Sequence, residues 1–392
     1  MIFDLPSLLH PVDEATFLQH FIAKRRLYVR TTERGRAAGL LPWATVNHLI
    51  EGDVLPPDRL RVIRANIDVA TLMYRRRDEH KHLRAGALQQ LLAQGASVII
   101  NDVSDLVPAI GGLSDNIERR LGHRVGVNAY LSFGRGSAFK AHFDYHDVLV
   151  LQVHGRKRWR SHGTPFPSPV EQLEPEPGKE APIEIAWEEV LEPGDLLYLP
   201  RGEVHEAAVE GPNSVHLTIG IHIRHGVHLF EWLRKRAALD PEIRKDLTRA
   251  AGTEALRRHE ATLKERLHAI VDAASVEEFL SAEDAERRPR VRLNIGIEDM
   301  PADDDVVEPA PRRTIALPAD VESETAIIVG GERYRLSPAA LRVLRLLLLR
   351  NRLTFREIKT ELSAELNAEA VRVAVHELAR QGLAGLTHAA SR

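Results

Sequence analysis

The chain has 392 residues, 44% of them hydrophobic and 28% charged, with a formal net charge of −3 and no cysteine. At roughly 150 residues per domain this length predicts two or three domains, and the balanced charge does not favour bulk binding of a polyanion. The lack of cysteine excludes disulfides, iron–sulfur clusters, thiolate zinc sites and a cysteine nucleophile, so a bound metal must be held by histidine, carboxylate or water.

Residues 1 to about 100 show mainly helical periodicity with short strands between the helices. Helical spacing of apolar residues is found at residues 12–18 and 88–92, and alternation predicts strands at residues 26–30 and 96–100. The N-terminus lacks the basic and apolar regions of a signal peptide, and no stretch approaches the ~18 apolar residues of a membrane span. We therefore expect a cytoplasmic protein with no membrane partner.

From about residue 125 to 225 the pattern changes to short strands between glycine and proline turns. The predicted strands lie at residues 127–133, 148–153, 157–160, 196–199 and 215–223. The predicted turns lie at residues 134–136, 154–155, 193–195 and 211–213. No helical crossover separates these strands, which argues against a parallel sheet and favours an antiparallel sandwich or barrel.

The remainder of the chain returns to helical periodicity. Residues 227–280 are rich in leucine, alanine, glutamate and arginine, and residues 281–314, with proline and runs of charge, indicate a linker. The predicted elements of the final segment are a helix over residues 338–350, helices that begin at Thr354 and Asn367, a stop at Gly382 and a strand at residues 383–387. This order of elements is typical of a winged helix.

His142, Asp144 and His205 are the most informative residues. Residues i and i+2 of a strand share a face, so His142 and Asp144 can converge on one metal ion, and His205 from a distant strand end can complete the set. Two histidines and one carboxylate leave positions open on an octahedral iron(II) for a co-substrate and dioxygen, whereas a structural zinc site is closed. His146 shares the strand face and is the alternative ligand. Asp144 is preferred because a hard carboxylate suits iron(II) and His146 lies further along the strand.

Lys157 indicates an anion site beside this metal group. Strand alternation places Lys157 and Trp159 on one face, with Arg156, Arg158 and Arg160 on the other. A lysine on the inner face of a barrel is costly unless it meets an anion, and the distal carboxylate of a metal-bound 2-oxoacid is such an anion. The alternative is a strand in which Lys157 lies at a solvated edge.

The last predicted strand supports a polar interior. Its aliphatic positions are Val215, Leu217, Ile219, Ile221 and Ile223, and its polar or small positions are His216, Thr218, Gly220 and His222. One face therefore packs against a core while the other lines a cavity that holds a ligand. In the strand before His142, Asn128 and Tyr130 share a face and are candidates for hydrogen bonds to the co-substrate.

Taken together, these motifs resemble the JmjC oxygenases, and among them the ribosomal oxygenases, which hydroxylate arginine or histidine side chains of ribosomal proteins. The segments that carry the resemblance are residues 128–130, 142–144, 152–159, 193–195, 198–207 and 214–218. The resemblance implies that His142, Asp144 and His205 bind iron(II) and that Lys157 pairs with the carboxylate of 2-oxoglutarate. It also implies that Asn128 and Tyr130 lie near the co-substrate.

The resemblance further implies a mainly β fold with four regions. The core is a double-stranded β-helix, or cupin-like jelly roll, in an oxygenase domain over residues 1–225 that includes a helical N-terminal portion. It is followed by a helical dimerisation region at residues 226–280, a linker at 281–317 and a winged-helix-like domain at 318–392.

The activity implied is that of an oxygenase that depends on iron(II) and 2-oxoglutarate. It hydroxylates an arginine or histidine side chain of a protein, with a ribosomal protein as the expected substrate and with succinate and carbon dioxide as co-products. Because the cofactor performs the hard step, no protein general base is expected. The alternatives are the same chemistry on a precursor peptide or a tRNA, or a transcription regulator in which the barrel senses a metabolite and controls the winged helix.

Two observations bear on partners. Glutamates interleave with the arginines of the final segment, which favours a solvated or protein-contacting surface over a DNA-reading helix and leaves nucleic-acid binding open. The helical segments after residue 227 have leucine and alanine faces, which favours a C2 homodimer.

Overall fold

The computed structural model describes residues 3–51, 55–64, 67–77, 81–134, 136–137, 140–171, 184–292, 301–313, 315, 317–318 and 322–387. The chain divides into two compact units, Met1–Ile223 and Arg224–Arg392. This boundary lies close to the domain end predicted at residue 225.

The described strands of the first unit form one large sheet. They are β1 (Leu27–Val29), β2 (Leu60–Arg64), β3 (Ile67–Asp68), β4 (Ser97–Ile100), β5 (Arg124–Phe133), β6 (Gly136–Ser137), β7 (Asp147–Ser161), β8 (Trp187–Leu191), β9 (Leu196–Leu199) and β10 (His205–His222). Hydrogen bonds join them in the order β1-β9-β7-β10-β5-β4-β2-β3, with β6 also on β10 and β8 on β7. Every pairing among these described strands is antiparallel. The predicted jelly-roll class is confirmed.

Helices cover the apolar outer face of this sheet. They are α1 (Leu5–Leu9), α2 (Glu14–His20), α3 (Trp43–Glu51), α4 (Ala85–Ala93) and α5 (Pro108–Leu121). Pro108 occupies the first turn of α5, where its missing N–H removes no hydrogen bond, and Gly122 ends the helix in the left-handed region at φ +65°. Ile110, Leu113 and Ile117 of α5 are buried in the main core. Each such side chain contributes about 1.5–3 kcal/mol by leaving water.

The two longest strands, β7 and β10, pair along most of their length, and this corrects the sequence prediction. Residues 154–155 and 211–213, expected as turns, lie inside these strands, where the register of the pairing shifts. Gly155 has φ +63°, and a Cβ atom there would lie 2.1 Å from Asn213 O. The glycine therefore marks an irregularity between two continuous strands and not a chain reversal.

The other two predicted turns lie at strand ends. Residues 193–195 link β8 to β9, with Gly194 in the left-handed region at φ +95°. In the turn predicted at residues 134–136, Gly134 has φ +73°, and residue 135 lies outside the described residues.

The two faces of β10 differ as the alternation predicts. The buried aliphatic side chains are Val215, Leu217, Ile219 and Ile221, all in the main core. His216 and Thr218, which lie between them, face a cavity on the inner side of the sheet. The strand therefore joins the packed core to the candidate site.

The second unit has a core of its own. Its helices are α6 (Gly226–Ala237), α7 (Thr253–Ala273), α8 (Val276–Glu286), α9 (Pro338–Arg350), α10 (Phe355–Glu361) and α11 (Ala368–Arg380). Its strands are β11 (Val306–Pro309), β12 (Thr325–Val329), β13 (Glu332–Leu336), β14 (Leu353–Thr354) and β15 (Ala384–Thr387). A sheet has the order β14-β11-β15, and β12 and β13 form a hairpin. Leu344, Phe355 and Val375, from α9, α10 and α11, are fully buried in this core.

The C-terminal helices begin and end where the sequence predicts. α9 spans the predicted residues 338–350, and Thr354 and Asn367 are the N-cap residues of α10 and α11, each accepting a hydrogen bond from a backbone N–H of the first turn. Gly382 follows α11 in the left-handed region at φ +71°. The winged-helix interpretation of this segment stays a prediction.

The linker predicted over residues 281–317 needs correction. α8 extends into it, and β11 is the middle strand of the sheet in the second unit. Residues 293–300 of this interval lie outside the described residues.

In the described part of the chain, no helix combines the length and the apolar character needed to span a bilayer.

Candidate active site

Three side chains singled out by the sequence come together on the inner side of the large sheet. The ligand atoms of His142, Asp144 and His205 all lie within 4.8 Å of one another, and His205 Nε2 is 3.7 Å from Asp144 Oδ2. His205 is the first residue of β10, and two backbone hydrogen bonds of 3.0 and 2.7 Å pair it with His142. Among the described residues this is the one group of histidines and carboxylates with metal-site spacing. Two imidazoles and one carboxylate are the donor set of open iron(II) sites.

The cause of this convergence differs from the prediction. Only His142 makes a strand-like bridge, and residues 143–146 lie outside the strands, so Asp144 does not reach the site by alternation along a strand. His146, the alternative ligand, stacks on His222 with ring centroids 4.6 Å apart and is not part of the group.

Backbone carbonyls orient both imidazoles. His142 Nδ1 lies 2.9 Å from Lys140 O, and His205 Nδ1 lies 2.9 Å from Glu203 O. A ring Nδ1–H that donates to a carbonyl leaves Nε2 with a lone pair for a metal. Burial lowers the pKa of His205 against the opposing attraction of Asp144, which keeps the ring in the neutral form that ligates metals.

Lys157 is a buried basic side chain with no carboxylate partner among the described residues. Its side chain is 4% exposed, and its Nζ donates one long hydrogen bond of 3.4 Å to Ser132 Oγ. Nζ also lies 5.9 Å from the centre of the Trp159 ring. Burial lowers the pKa of Lys157 from 10.5 to about 7. The predicted inward position of Lys157 and Trp159 is confirmed, and a solvated edge is excluded.

Tyr130 and His216 form a stacked pair in the cavity wall. They pair across β5 and β10, with ring centroids 4.9 Å apart and planes 11° apart. Burial and the nearby Asp144 raise the pKa of Tyr130 to about 12, and burial lowers the pKa of His216 well below its usual value, so both groups are neutral near pH 7. Asn128 is not among the described residues that line the cavity, and its Oδ1 accepts a 2.9 Å hydrogen bond from Asp102 N.

A cavity of about 230 Å³ connects the metal-ligand group with Lys157. Its lining consists of Arg61, Ile99, Tyr130, His142, Asp144, Val148, Val150, Lys157, Trp159, His205, Ala207, His216 and Thr218. Sequence reasoning missed Arg61, whose Nη2 lies 3.0 and 2.9 Å from the two carboxylate oxygens of Asp68. Its position between the buried Leu60 and Val62 is the alternation that marks an inward-facing residue of β2.

Comparison with known proteins agrees with this geometry. Residues 109–229 match the family model of the JmjC domain, and all three proposed ligands and Lys157 lie within this segment. The chain is 36% identical over 133 residues to the bifunctional lysine-specific demethylase and histidyl-hydroxylase NO66 of Drosophila willistoni, covering 33% of this chain and 17% of that one. It is 25% identical over 223 residues to ribosomal oxygenase 1 of Danio rerio, covering 55% of this chain and 40% of that one. The chain thus spans less than half the length of these relatives.

Among solved structures, the chain is similar to YcfD, a ribosomal oxygenase from Escherichia coli, in complex with cobalt and 2-oxoglutarate. The TM-score is 0.58 at 17% sequence identity, and the match covers 96% of this chain and 99% of that one. At this identity the likeness establishes a shared fold.

Proposed function

We propose that this chain, with its JmjC domain at residues 109–229, is an iron(II)- and 2-oxoglutarate-dependent oxygenase that hydroxylates a protein side chain. The observation that carries the proposal is the group of His142, Asp144 and His205 in one cavity with the buried Lys157. The histidyl hydroxylase and ribosomal oxygenase among the relatives support the same reaction class. In this reaction one atom of dioxygen enters the substrate, and the other enters 2-oxoglutarate as it becomes succinate and carbon dioxide.

The residues present fit both the metal and the co-substrate. The ligand group supplies nitrogen and oxygen donors without sulfur, as iron(II) oxygenases require. Lys157 is a buried amine whose charged form needs an anion, and a dicarboxylate provides one. Two further buried atoms, Trp159 Nε1 and His216 Nδ1, have no hydrogen-bond partner among the described residues, and both residues line the same cavity. Polar groups of a bound co-substrate would satisfy them.

The chain's own residues hold and shield the reactants. Iron(II) with 2-oxoglutarate supplies, when bound, the oxidant that removes hydrogen from an unactivated carbon. Lys157 would hold the distal carboxylate, and the imidazoles of His142 and His205, whose Nδ1 atoms face backbone carbonyls, would hold the metal through Nε2. The apolar side chains of Val148 and Val150 line the same cavity and reduce the access of water to it.

The cavity favours a neutral imidazole over a guanidinium as the target side chain. Among the described lining residues Asp144 is the only carboxylate, and it belongs to the metal group. The other charged groups of the lining are basic: Arg61, which is paired with Asp68, and Lys157. A substrate arginine would therefore be buried without a free counterion, which is costly, whereas histidine can enter uncharged. We accordingly favour a histidine of a ribosomal protein as the substrate.

The test is to incubate the purified protein with iron(II), 2-oxoglutarate and ribosomal proteins and to analyse their peptides by mass spectrometry. We expect a gain of one oxygen atom on a histidine and an equal amount of succinate. Lys157→Ala should weaken 2-oxoglutarate binding strongly, whereas Arg156→Ala, its exposed neighbour on the opposite face, should not. Equal affinity in wild type and Lys157→Ala would contradict the proposal.

This experiment and related assays distinguish the proposal from the alternatives that the sequence leaves open. Oxygen gained by a precursor peptide or a tRNA in place of a ribosomal protein would keep the chemistry and replace the substrate. Matched peptides with histidine or arginine at the modified position would decide between the two side chains. If the protein shows no turnover but binds DNA sequence-selectively, and this binding responds to a metabolite, the transcription-regulator alternative holds.

A cytoplasmic location stays a prediction.

A homodimer formed by the second unit is part of the proposal. No residue of α7 is buried, although the helix has 21 residues. Large apolar side chains of this region are exposed, including Phe230 (72%), Leu239 (79%) and Val271 (53%). Apolar surface of this extent commonly marks a protein contact, and a second copy of the chain is the default partner.

A further inference from the structure

The turn at residues 200–203 is bonded to two of the proposed metal ligands. Gly202 N donates a 3.0 Å hydrogen bond to Asp144 O, and Glu203 O accepts the 2.9 Å hydrogen bond of His205 Nδ1. Gly202 has φ +83°, and a Cβ atom there would lie 2.4 Å from Phe166 O. The turn thus has little freedom, and its backbone direction sets the position of Asp144 and the ring plane of His205.

Two buried carboxylates anchor this turn. The Glu203 side chain is 4% exposed, forms an ion pair with Arg26 and accepts a hydrogen bond from Ser161 Oγ. Asp147, 1% exposed, accepts a 3.0 Å hydrogen bond from Arg201 N. Each buried charge is therefore satisfied by a partner, as burial of a carboxylate requires.

Both anchors lead to one short segment, residues 23–26, just before β1. Ala23 N lies 3.2 Å from Asp147 Oδ2 and 2.7 Å from the Tyr198 hydroxyl oxygen, which itself donates to Asp147. Arg26, the partner of Glu203, lies with its guanidinium carbon 4.8 Å from the centre of the Trp187 ring. A segment outside the strands of the metal site therefore holds the turn from two sides.

We propose that Glu203, held by Arg26, is a positioning residue for His205, and that residues 23–26 brace the metal site. Fixing the Glu203 carboxylate fixes its backbone carbonyl, which in turn sets the tautomer and the ring plane of His205. A buried ion pair contributes little net stability, so stability alone does not account for Arg26 and Glu203. Outer-shell groups that orient a ligating histidine change metal affinity about 10- to 100-fold. The inference rests on the proposed metal site.

The experiment measures cobalt(II) binding to the full chain by absorption titration, together with thermal unfolding. Arg26→Met and Glu203→Gln should each raise the cobalt(II) dissociation constant about 10- to 100-fold and alter the visible ligand-field spectrum. Arg26→Lys, which keeps the charge, should recover most of the affinity. Arg30→Met is the matched control, because Arg30 lies at the other end of β1 and also pairs with a carboxylate, Glu189, but on the surface. It should bind cobalt(II) like the wild type.

The outcomes separate this inference from the proposed function. If the wild type binds cobalt(II) and the Arg26 and Glu203 variants bind it equally well, with an unchanged spectrum, the brace is refuted and the metal site stands. If Arg30→Met weakens binding as much as Arg26→Met, the effect is not specific and the brace is also refuted. If the wild type does not bind cobalt(II), the metal site itself fails, and the brace fails with it. Should Glu203→Gln not fold, Arg26→Met, whose side chain is 23% exposed in the wild type, decides the question.

Discussion

Lys157→Met should make the protein more stable while removing the proposed anchor of the co-substrate. The replacement is an unbranched apolar side chain one atom shorter than lysine, and it removes a buried basic group whose pKa burial lowers from 10.5 to about 7. At ~1.4 kcal/mol for each factor of ten, this difference corresponds to about 5 kcal/mol of cost for holding the ammonium in the cavity. In the absence of 2-oxoglutarate, the variant should gain up to this amount in free energy of unfolding at pH 7.

The sign of the pH dependence follows from the same values. The folded protein releases the Lys157 proton near pH 7 and the unfolded chain near pH 10.5, so the cost is fully present below about pH 7 and is lost as pH rises to 10.5. The gain of Lys157→Met should therefore fall to about 2 kcal/mol at pH 9. Urea unfolding of both proteins at pH 7 and pH 9 measures these differences.

Co-substrate binding supplies the second half of the test. Removing one partner of a buried charge pair costs about 2–5 kcal/mol, or about 30- to 4,000-fold in the dissociation constant of 2-oxoglutarate. Binding to the wild type at pH 8 should also take up close to one proton, because the carboxylate raises the pKa of Lys157 again. Calorimetry in buffers of different ionisation enthalpy measures both quantities. A variant that is less stable than the wild type at pH 7, or that binds 2-oxoglutarate with wild-type affinity, would refute the reasoning.

Three further results are expected. His142→Ala should raise the cobalt(II) dissociation constant more than ~100-fold, beyond the effect of outer-shell changes, with thermal unfolding nearly unchanged; retained affinity would remove this residue from the ligand group. Gly155→Ala should lower the free energy of unfolding in urea by about 2–4 kcal/mol because of the positive φ and the backbone contact. Gly112→Ala in α5, where a Cβ atom meets nothing within 4 Å, should instead raise it by about 0.5–1 kcal/mol. Phe230→Asp should convert a dimer to a monomer in analytical ultracentrifugation, and Ile67→Asp, 70% exposed on the first unit, should not; a dimer in both variants would place the contact elsewhere.

The parts of the site that the sequence predicts depend on local alternation and on the cost of burying charge. Lys157 could be placed inside because its strand neighbours Arg156 and Arg158 had to lie outside. The sequence predicts that His142 and Asp144 converge because they alternate along one strand. In the structure residues 143–146 lie outside the strands, so the convergence has another cause. The residue types identified the donors, but the local geometry depends on a distant turn.

Non-local pairing explains what the sequence missed. The local sequence around Gly155 is compatible with a chain reversal and with an irregularity inside a strand. Only the pairing with the opposite strand distinguishes the two. β11 lies between charged and proline-rich residues, yet becomes the middle strand of a sheet because β14 and β15, much later in the chain, pair with it. Alternation places Arg61 on the inner face of β2, but its part in the cavity depends on β4 and β5, which lie between β2 and β10 in the sheet.

Strand β7 sets the spacing between Lys157 and the metal-ligand group. Lys157 lies on the same uninterrupted strand as Ser161, which pairs with His205 across to β10. At ~3.3 Å per residue, the backbone alone separates the ammonium anchor from the ligand end of the strand by about 13 Å, before the side chains reach toward each other. A shorter keto diacid such as oxaloacetate, or a longer one such as 2-oxoadipate, would leave one end unsatisfied. Because the strand backbone fixes this spacing, a preference for another chain length would require a change in the reach of the side chain at position 157 or of the metal ligands.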